Sequence, residues 1–317
     1  MHSFPPYVRP DRLLELIQTA LKEDIENGDV TTNATIPFLT TASAVLKAKE
    51  AGIVAGLRVF ELVLNEVDPS VTVKWNRSDG DQVPANDIVG TMQGSARAIL
   101  MAERVGLNFL QRMSGIATLT HQMVLALKGT KSKLLDTRKT APGLRMLDKW
   151  AVLLGGGFNH RVGLFDMILI KENHISAAGG IENALTSALD ARSRMENQRD
   201  RSGPIETGNS QALPSKMKIE IEVTSLDELE RVLAHGGADR VMLDNFVVLE
   251  SSGHIDTSRL EHAIAVVDGR LETEASGNIT LDTLGAVGQT GVDYISSGAL
   301  THSVRAMDFS LLITIDE

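Results

Sequence analysis

Apolar positions along this chain follow two rhythms. Near the start, Leu13, Leu14, Ile17 and Leu21 recur at helical spacing behind Pro10 and Asp11, a residue pair suited to a helix start. Asn27 and Gly28, within EDIENGDVTT, break that pattern. Short extended pieces follow from Ala42: ASAVLKA, VTVKW and DIVGTM, with the turn-forming DGDQVP (Asp79 to Pro84) between the last two. A helix fits near Leu57 to Val67. Residues 1–115 thus read as a small α/β domain. From Ala98 to Lys128 a longer helical pattern runs through ERVGLNFLQRMSGIATLTHQMVLALK, which Ser114 and Gly115 are expected to interrupt.

After Leu134 the rhythm changes. Strand-length apolar runs recur as KLLD, DMILIK, KIEIEV, RVMLD, LETEAS and VDYISSG, and helical patterns such as SLDELERVLAHGG and TLDTLGAVGQTG separate most of them. Strand and helix alternating in this way predict βα units around a parallel sheet. A parallel barrel of six to eight strands is the first reading, and an open doubly wound sheet the second. Residues 116–302 form this second domain. The polar stretch ENQRDRSGPIETGNSQALPSK (Glu196 to Lys216) reads as a mobile surface loop inserted between two barrel units. The tail MDFSLLITIDE supplies one more strand, so that residues 303–317 return to the N-terminal domain.

Composition narrows the function classes. With 317 residues, 43% hydrophobic and 23% charged, there is ample material for a core, although aromatics are only 4%, so Leu, Val, Ile, Ala and Met must fill it. A net charge of −10 argues against a general nucleic-acid binder. There are no cysteines, which excludes disulfides, thiolate metal sites and a cysteine nucleophile. The N-terminus lacks the pattern of a secretory signal, and no apolar run approaches the ~20 residues of a membrane span. The expectation is a soluble, cytoplasmic protein.

Against this acidic background, Lys133 to His174 gathers Arg138, Lys139, Arg145, Lys149, Arg161 and Lys171 with His160 and His174. Cations at strand ends beside the glycines 155–157 suit a polyanionic small molecule. Arg138 and Lys139 sit where a strand would stop, as a fork for carboxylate and a point charge for phosphate; the plainer reading is two surface bases at a helix start. In GGGFNHR the glycines let the backbone approach a ligand, and His160 and Arg161 follow; a histidine there can equally be a packed residue. Lys171 closes an apolar strand, where an unpaired lysine is rare. On the acidic side, Glu220 and Glu222 share one face of a strand, Asp244 ends RVMLD, and Glu274 lies in ETEASG. These carboxylates either fill a barrel core with salt bridges or bind sugar hydroxyls and magnesium; Glu222 and Asp244 favour the second role, while Glu220 and Glu274 favour neither. ASGNIT and SSGALTHS place small residues before helices, where backbone N–H groups can hold phosphate. No P-loop, Rossmann fingerprint, zincin motif or nucleophile elbow occurs.

The segments EDIENGDVTT, ERVGLNFLQRMSGIAT, DTRKTAPGLRMLDKWAVLLGGGFNHRVGLFDMILIKENHI, EIEV, GADRVMLDNF, EASGNIT and GVDYISSGALTHS, in this order, closely resemble the quinolinate phosphoribosyltransferase family. The resemblance covers nearly the whole chain outside Glu196 to Lys216. It implies an N-terminal α/β sandwich followed by an incomplete parallel α/β barrel of about six to seven strands. It also implies a magnesium-dependent pentosyltransferase that joins quinolinate to 5-phosphoribosyl-1-pyrophosphate, releasing pyrophosphate and carbon dioxide. The working unit it implies is a homodimer or higher homo-oligomer with shared sites. By motif, Arg138, His160, Arg161 and Lys171 would hold quinolinate, with Arg104 reaching it from the neighbouring subunit. Lys139 and Lys171 would contact the phosphoribosyl pyrophosphate. Glu222 and Asp244 would bind ribose hydroxyls and the metal, and Ser276, Gly277 and Gly298 the 5′-phosphate, with His302 near them. A transferase for nicotinate, a non-catalytic sugar-phosphate-binding barrel, and an aldolase using Lys171 as a Schiff-base amine are the competing readings.

Overall fold

The computed structural model describes residues 4–202 and 217–316. Ten strands build its two principal sheets: β1 (Thr41–Ala48), β2 (Thr72–Trp75), β3 (Ile88–Ser95), β4 (Lys133–Leu135), β5 (Ile168–Ile170), β6 (Ile219–Val223), β7 (Arg240–Asp244), β8 (Glu272–Ser276), β9 (Tyr294–Ser296) and β10 (Phe309–Ile315). The chain divides into two units, one of Met1–His121, Thr140–Gly157 and Leu300–Glu317, the other of Gln122–Lys139 and Phe158–Ala299. This grouping places residues 116–121 and 140–157, which follow the expected boundary at residue 115, with the first unit.

In the first unit, β10, β1, β3 and β2 lie side by side in that order, each pair antiparallel. β1 buries Ala42, Ala44, Leu46 and Ala48, every second residue, as one covered sheet face requires. The C-terminal strand β10 pairs with β1 from Ala42↔Ile315 to Ala48↔Phe309, so the tail does return to the N-terminal sheet. α1 (Pro10–Ile25) starts at a proline and buries Leu13, Ile17 and Leu21 along one stripe. α2 spans Leu57–Val67, as its apolar spacing predicts.

α3 (Ala96–Ala126) runs unbroken through Ser114 and Gly115, contrary to expectation. Ser114 is fully buried, and its hydroxyl accepts the Ala55 N–H and donates to the Ala55 carbonyl. At Gly115 a Cβ would lie 2.1 Å from the Arg305 carbonyl oxygen. Both small residues serve close packing, and the helix tolerates them because tertiary contacts outweigh propensity.

In the second unit six strands form one parallel sheet in the order β4, β9, β8, β7, β6, β5. From β5 to β9 and on to β4 the order follows the chain without the reversal of a doubly wound sheet. β4 and β5 do not pair, so the barrel is incomplete at that seam. Ile219, Ile221, Val223, Val241, Leu243, Ala275 and Ile295 are buried, the near-continuous apolar character of strands covered on both faces. Helices Ile181–Ser202, Leu226–His235, Ser258–Val267 and Leu281–Gln289 alternate with the strands. Ser225 and Thr280 start two of them by accepting the N–H of Glu228 and Thr283.

Where a loop is expected from Glu196, residues 196–202 continue the helix Ile181–Ser202; the rest of that expected insertion, 203–216, lies outside the described residues. No helix among those described is long and apolar enough to cross a membrane.

Candidate functional site

Parallel strands present their C-terminal ends together, and here those ends carry the charge. A cavity of about 490 Å3 opens there within the second unit, lined by Thr137, Arg138, Lys139, His160, Arg161, Leu169, Lys171, Glu222, Met242, Asp244, Ser276 and Ser296. Arg138 and Lys139 follow β4, Lys171 follows β5, Glu222 and Asp244 lie at the ends of β6 and β7, and Ser276 ends β8. Eight of the expected site residues therefore converge.

The basic wall is built from the loop after β4 and the segment before β5. Asp136 is fully buried and accepts the His160 N–H at 2.9 Å and the Asn159 amide at 2.6 Å. It thereby ties HR, 160–161, to the end of β4. Burial holds the Arg161 guanidinium below its ordinary pKa, and the like charge of Arg138 adds to this, with Asp166 and Glu220 opposing. The Arg138 Nε is buried without a hydrogen-bond partner. Two crowded guanidiniums with an unspent donor have the chemistry that an anionic group complements. The backbone at Gly155 and Gly157 packs closely against α3. A Cβ on Gly155 would lie 2.4 Å from the Ala117 carbonyl oxygen, and one on Gly157 would lie 2.8 Å from Thr120 Cγ2, so these residues serve packing within the first unit.

The acidic wall faces it. Lys171 Nζ bonds Glu222, and the Asn245 amide donates to Asp244 at 2.7 Å. Burial raises the Asp244 carboxyl above its ordinary range and the Glu222 charge raises it further, against Lys171 and Lys139. Two carboxylates that repel at one cavity mouth offer the hard oxygen donors that suit Mg2+.

Ser276 leads into the third element. Gly277 has φ +93°, and a Cβ there would sit 2.2 Å from Asn245 Oδ1; only glycine fits. Asn245 and Asn278 also have positive φ, and the Asn245 N–H donates to the Ser276 carbonyl at 2.9 Å. Gly277 and Gly298 are not among the lining residues. Arg104, exposed on α3, and His302, whose Nδ1 lies 2.7 Å from Ser303 Oγ, belong to the first unit.

Leu169 and Met242 escaped sequence reasoning. Each stands two residues before a polar site residue, Lys171 and Asp244, so strand alternation puts it on the same face. Glu220 and Glu274, two positions deeper than Glu222 and Ser276, are fully buried in the barrel. Their partners are His160, whose Nε2 lies 3.0 Å from Glu220 and 3.5 Å from Glu274, and Arg240, 3.1 Å from Glu274. Burial, then the neighbouring Glu220, raises the Glu274 carboxyl to about 7, with His160 and Arg240 opposing. A group that keeps its proton longer when folded loses stability as pH rises from the unfolded value of 4.5 to the folded value of about 7. Chemical denaturation across that window should show a decline of up to roughly 3 kcal/mol that Glu274→Gln removes. An equal slope in the variant would contradict this origin.

A larger cavity, about 560 Å3, lies at the opposite strand ends. Its charges are answered internally: Lys131 pairs with Asp293 at 2.7 Å, and Lys218 with Glu272 at 2.8 Å. That pattern is structural.

Comparison with known proteins agrees with this geometry. The family described as quinolinate phosphoribosyl transferase, C-terminal domain, matches residues 116–199 and 205–312, and its N-terminal domain matches 29–114. The chain is 50% identical over 315 residues to quinolinate phosphoribosyltransferase [decarboxylating] 2, mitochondrial, of Nicotiana glauca, covering 98% of this chain and 84% of that one. It is 39% identical to the probable nicotinate-nucleotide pyrophosphorylase [carboxylating] of Bacillus subtilis, with 96% and 94% covered. The solved nicotinate-nucleotide pyrophosphorylase of Francisella tularensis superposes with a TM-score of 0.83 at 38% identity, with 99% and 100% covered.

Proposed function

The chain belongs to the quinolinate phosphoribosyltransferase family, and we propose that it catalyses a magnesium-dependent transfer of the phosphoribosyl group of 5-phosphoribosyl-1-pyrophosphate to quinolinate, with loss of carbon dioxide, giving nicotinate mononucleotide for NAD synthesis. The observation that carries this reading is the pairing of Arg138 and Arg161 in one cavity, opposite Glu222 and Asp244. A dianionic acid needs the first pair, and a sugar that gains positive charge needs the second.

Arg138 and Arg161 grip the two carboxylates, with His160 and Lys171 beside them. Lys139 and Lys171 neutralise the pyrophosphate. Glu222 and Asp244 orient the ribose hydroxyls and would hold Mg2+, which when bound neutralises the leaving pyrophosphate. Ser276, Gly277 and Gly298 take the 5′-phosphate. The pyridine nitrogen forms a bond to the anomeric carbon as the bond to pyrophosphate breaks, so no side-chain nucleophile is needed. The nitrogen, now cationic, stabilises the electron pair left on the adjacent ring carbon as its carboxylate departs as carbon dioxide, and that pair then takes up a proton. Most of the rate gain comes from holding both reactants in line. In this reading the chain works as a homodimer, and Arg104 completes the neighbouring subunit's pocket.

Incubation with quinolinate, 5-phosphoribosyl-1-pyrophosphate and magnesium should release carbon dioxide and pyrophosphate in equal amounts. No release of either product from folded protein would overturn the proposal.

A further inference from the structure

Beneath the cavity floor lie two buried carboxyl groups, Glu220 and Glu274, to which the proposed chemistry gives no task, and both face His160. His160 Nδ1 accepts the Arg161 backbone N–H at 2.7 Å. A ring nitrogen that accepts carries no proton, so the ring proton of His160 sits on Nε2. That nitrogen faces two fully buried carboxyl groups, Glu220 Oε2 at 3.0 Å and Glu274 Oε2 at 3.5 Å. The approach is short but lies off the line of an aligned hydrogen bond, so it acts through charge and dipole. The acids are answered from below by Arg240, whose Nη1 lies 3.1 Å from Glu274 and whose Nε and Nη2 lie 3.2 Å from Glu272. The Arg240 guanidinium also stacks 3.8 Å from the Tyr294 ring centroid.

His160, Glu220 and Glu274 bring ligand-type atoms within 4.8 Å of one another. Arg240 supplies positive charge to this cluster from below, bonded to Glu274 and Glu272. Glu220 and Glu274 both approach the imidazole, which also accepts the peptide N–H of Arg161. The Arg161 side chain itself has one long anchor, from Nη1 to the Met167 carbonyl at 3.4 Å. The following peptides are fixed by Asp166, which accepts the N–H of Val162 at 2.7 Å and of Gly163 at 2.9 Å. His160 fixes the peptide of Arg161 itself.

We propose that Glu220 and Glu274 are positioning residues for the diacid. They hold His160 with its proton on Nε2, which leaves Nδ1 to clamp the Arg161 peptide and sets where the Arg161 guanidinium enters the cavity. This inference rests on the reading of that cavity as the quinolinate site. A guanidinium moved off its carboxylate forfeits most of a charge-assisted hydrogen bond, about 10- to 100-fold in affinity. The acids therefore act at one remove, through a tautomer and a backbone.

The test uses the full-length protein and Glu220→Gln, which keeps the side-chain shape and removes the charge. Its KM for quinolinate should rise about 10- to 100-fold. Its KM for 5-phosphoribosyl-1-pyrophosphate and its kcat should stay within about threefold, a split that general loosening of the barrel would not give. 15N NMR of the imidazoles should assign wild-type His160 to the Nε2–H form and show that form depleted in the variant. Parallel losses for both substrates, or an unaltered quinolinate KM, would overturn the inference. The wild-type spectrum alone also decides: a His160 protonated on Nδ1 refutes the clamp even if the variant does not fold. Wild-type protein that binds no quinolinate in calorimetry would instead bring down the functional reading on which the inference depends.

Discussion

Arg138→Ala is expected to cost about 2–5 kcal/mol of quinolinate affinity, a loss of roughly 30- to 5,000-fold. The reason lies in the pair. Arg161 is half-buried and already strained by the like charge of Arg138, and Arg138 holds a buried Nε that the protein does not satisfy. Bound dianion relieves both at once. Without Arg138, one carboxylate is desolvated beside a single guanidinium, and an unpaired buried charge is the costly case. Calorimetric titration with quinolinate measures the loss. Nicotinate, with one carboxylate, provides the control and should be affected less. An unchanged quinolinate affinity would detach the cavity from the diacid.

The second large effect belongs to the opposite wall. Glu222→Gln should lower kcat about 100- to 1,000-fold while leaving quinolinate affinity nearly intact. Glu222 is bonded to Lys171 and raises the carboxyl of Asp244, so its charge governs both neighbours. The amide would free Lys171, let Asp244 ionise more readily, and halve the carboxylate charge offered to the ribose and to magnesium. Steady-state rates across a magnesium series separate this from a binding defect. A variant with wild-type kcat would show that the acidic wall serves only structure.

Much of this site was legible in the sequence because strands expose their ends in order. A polar residue closing an apolar run, as Lys171, Glu222 and Asp244 do, marks a parallel strand's C-terminal end, and all three line the cavity. The period-two spacing of Glu220 and Glu222 correctly placed both on the interior face, but spacing carries no depth scale. It could not separate a mouth residue from a core residue one pleat below. Arg240 drew no attention at the start of RVMLD, since its role depends on Glu272, Glu274 and Tyr294, 32 or more residues away. Ser114 and Gly115 looked like a helix break because local propensity was the only guide; the surfaces that require them, at Ala55 and Arg305, are remote in sequence. The close approach of Gly155 and Gly157 to Ala117 and Thr120 stayed hidden for the same reason. Small residues mark close approach, and the sequence does not say to what.

The unclosed seam between β4 and β5 has a further consequence. An open sheet ordinarily leaves two long margins on which a foreign strand can grow, the first step toward fibrils. Here each margin is only three residues long, and Phe158 caps one of them through its bridge to Leu135. A visiting chain finds too few free peptide groups to gain a foothold. The molecule can keep its ring of strands split without inviting its own aggregation.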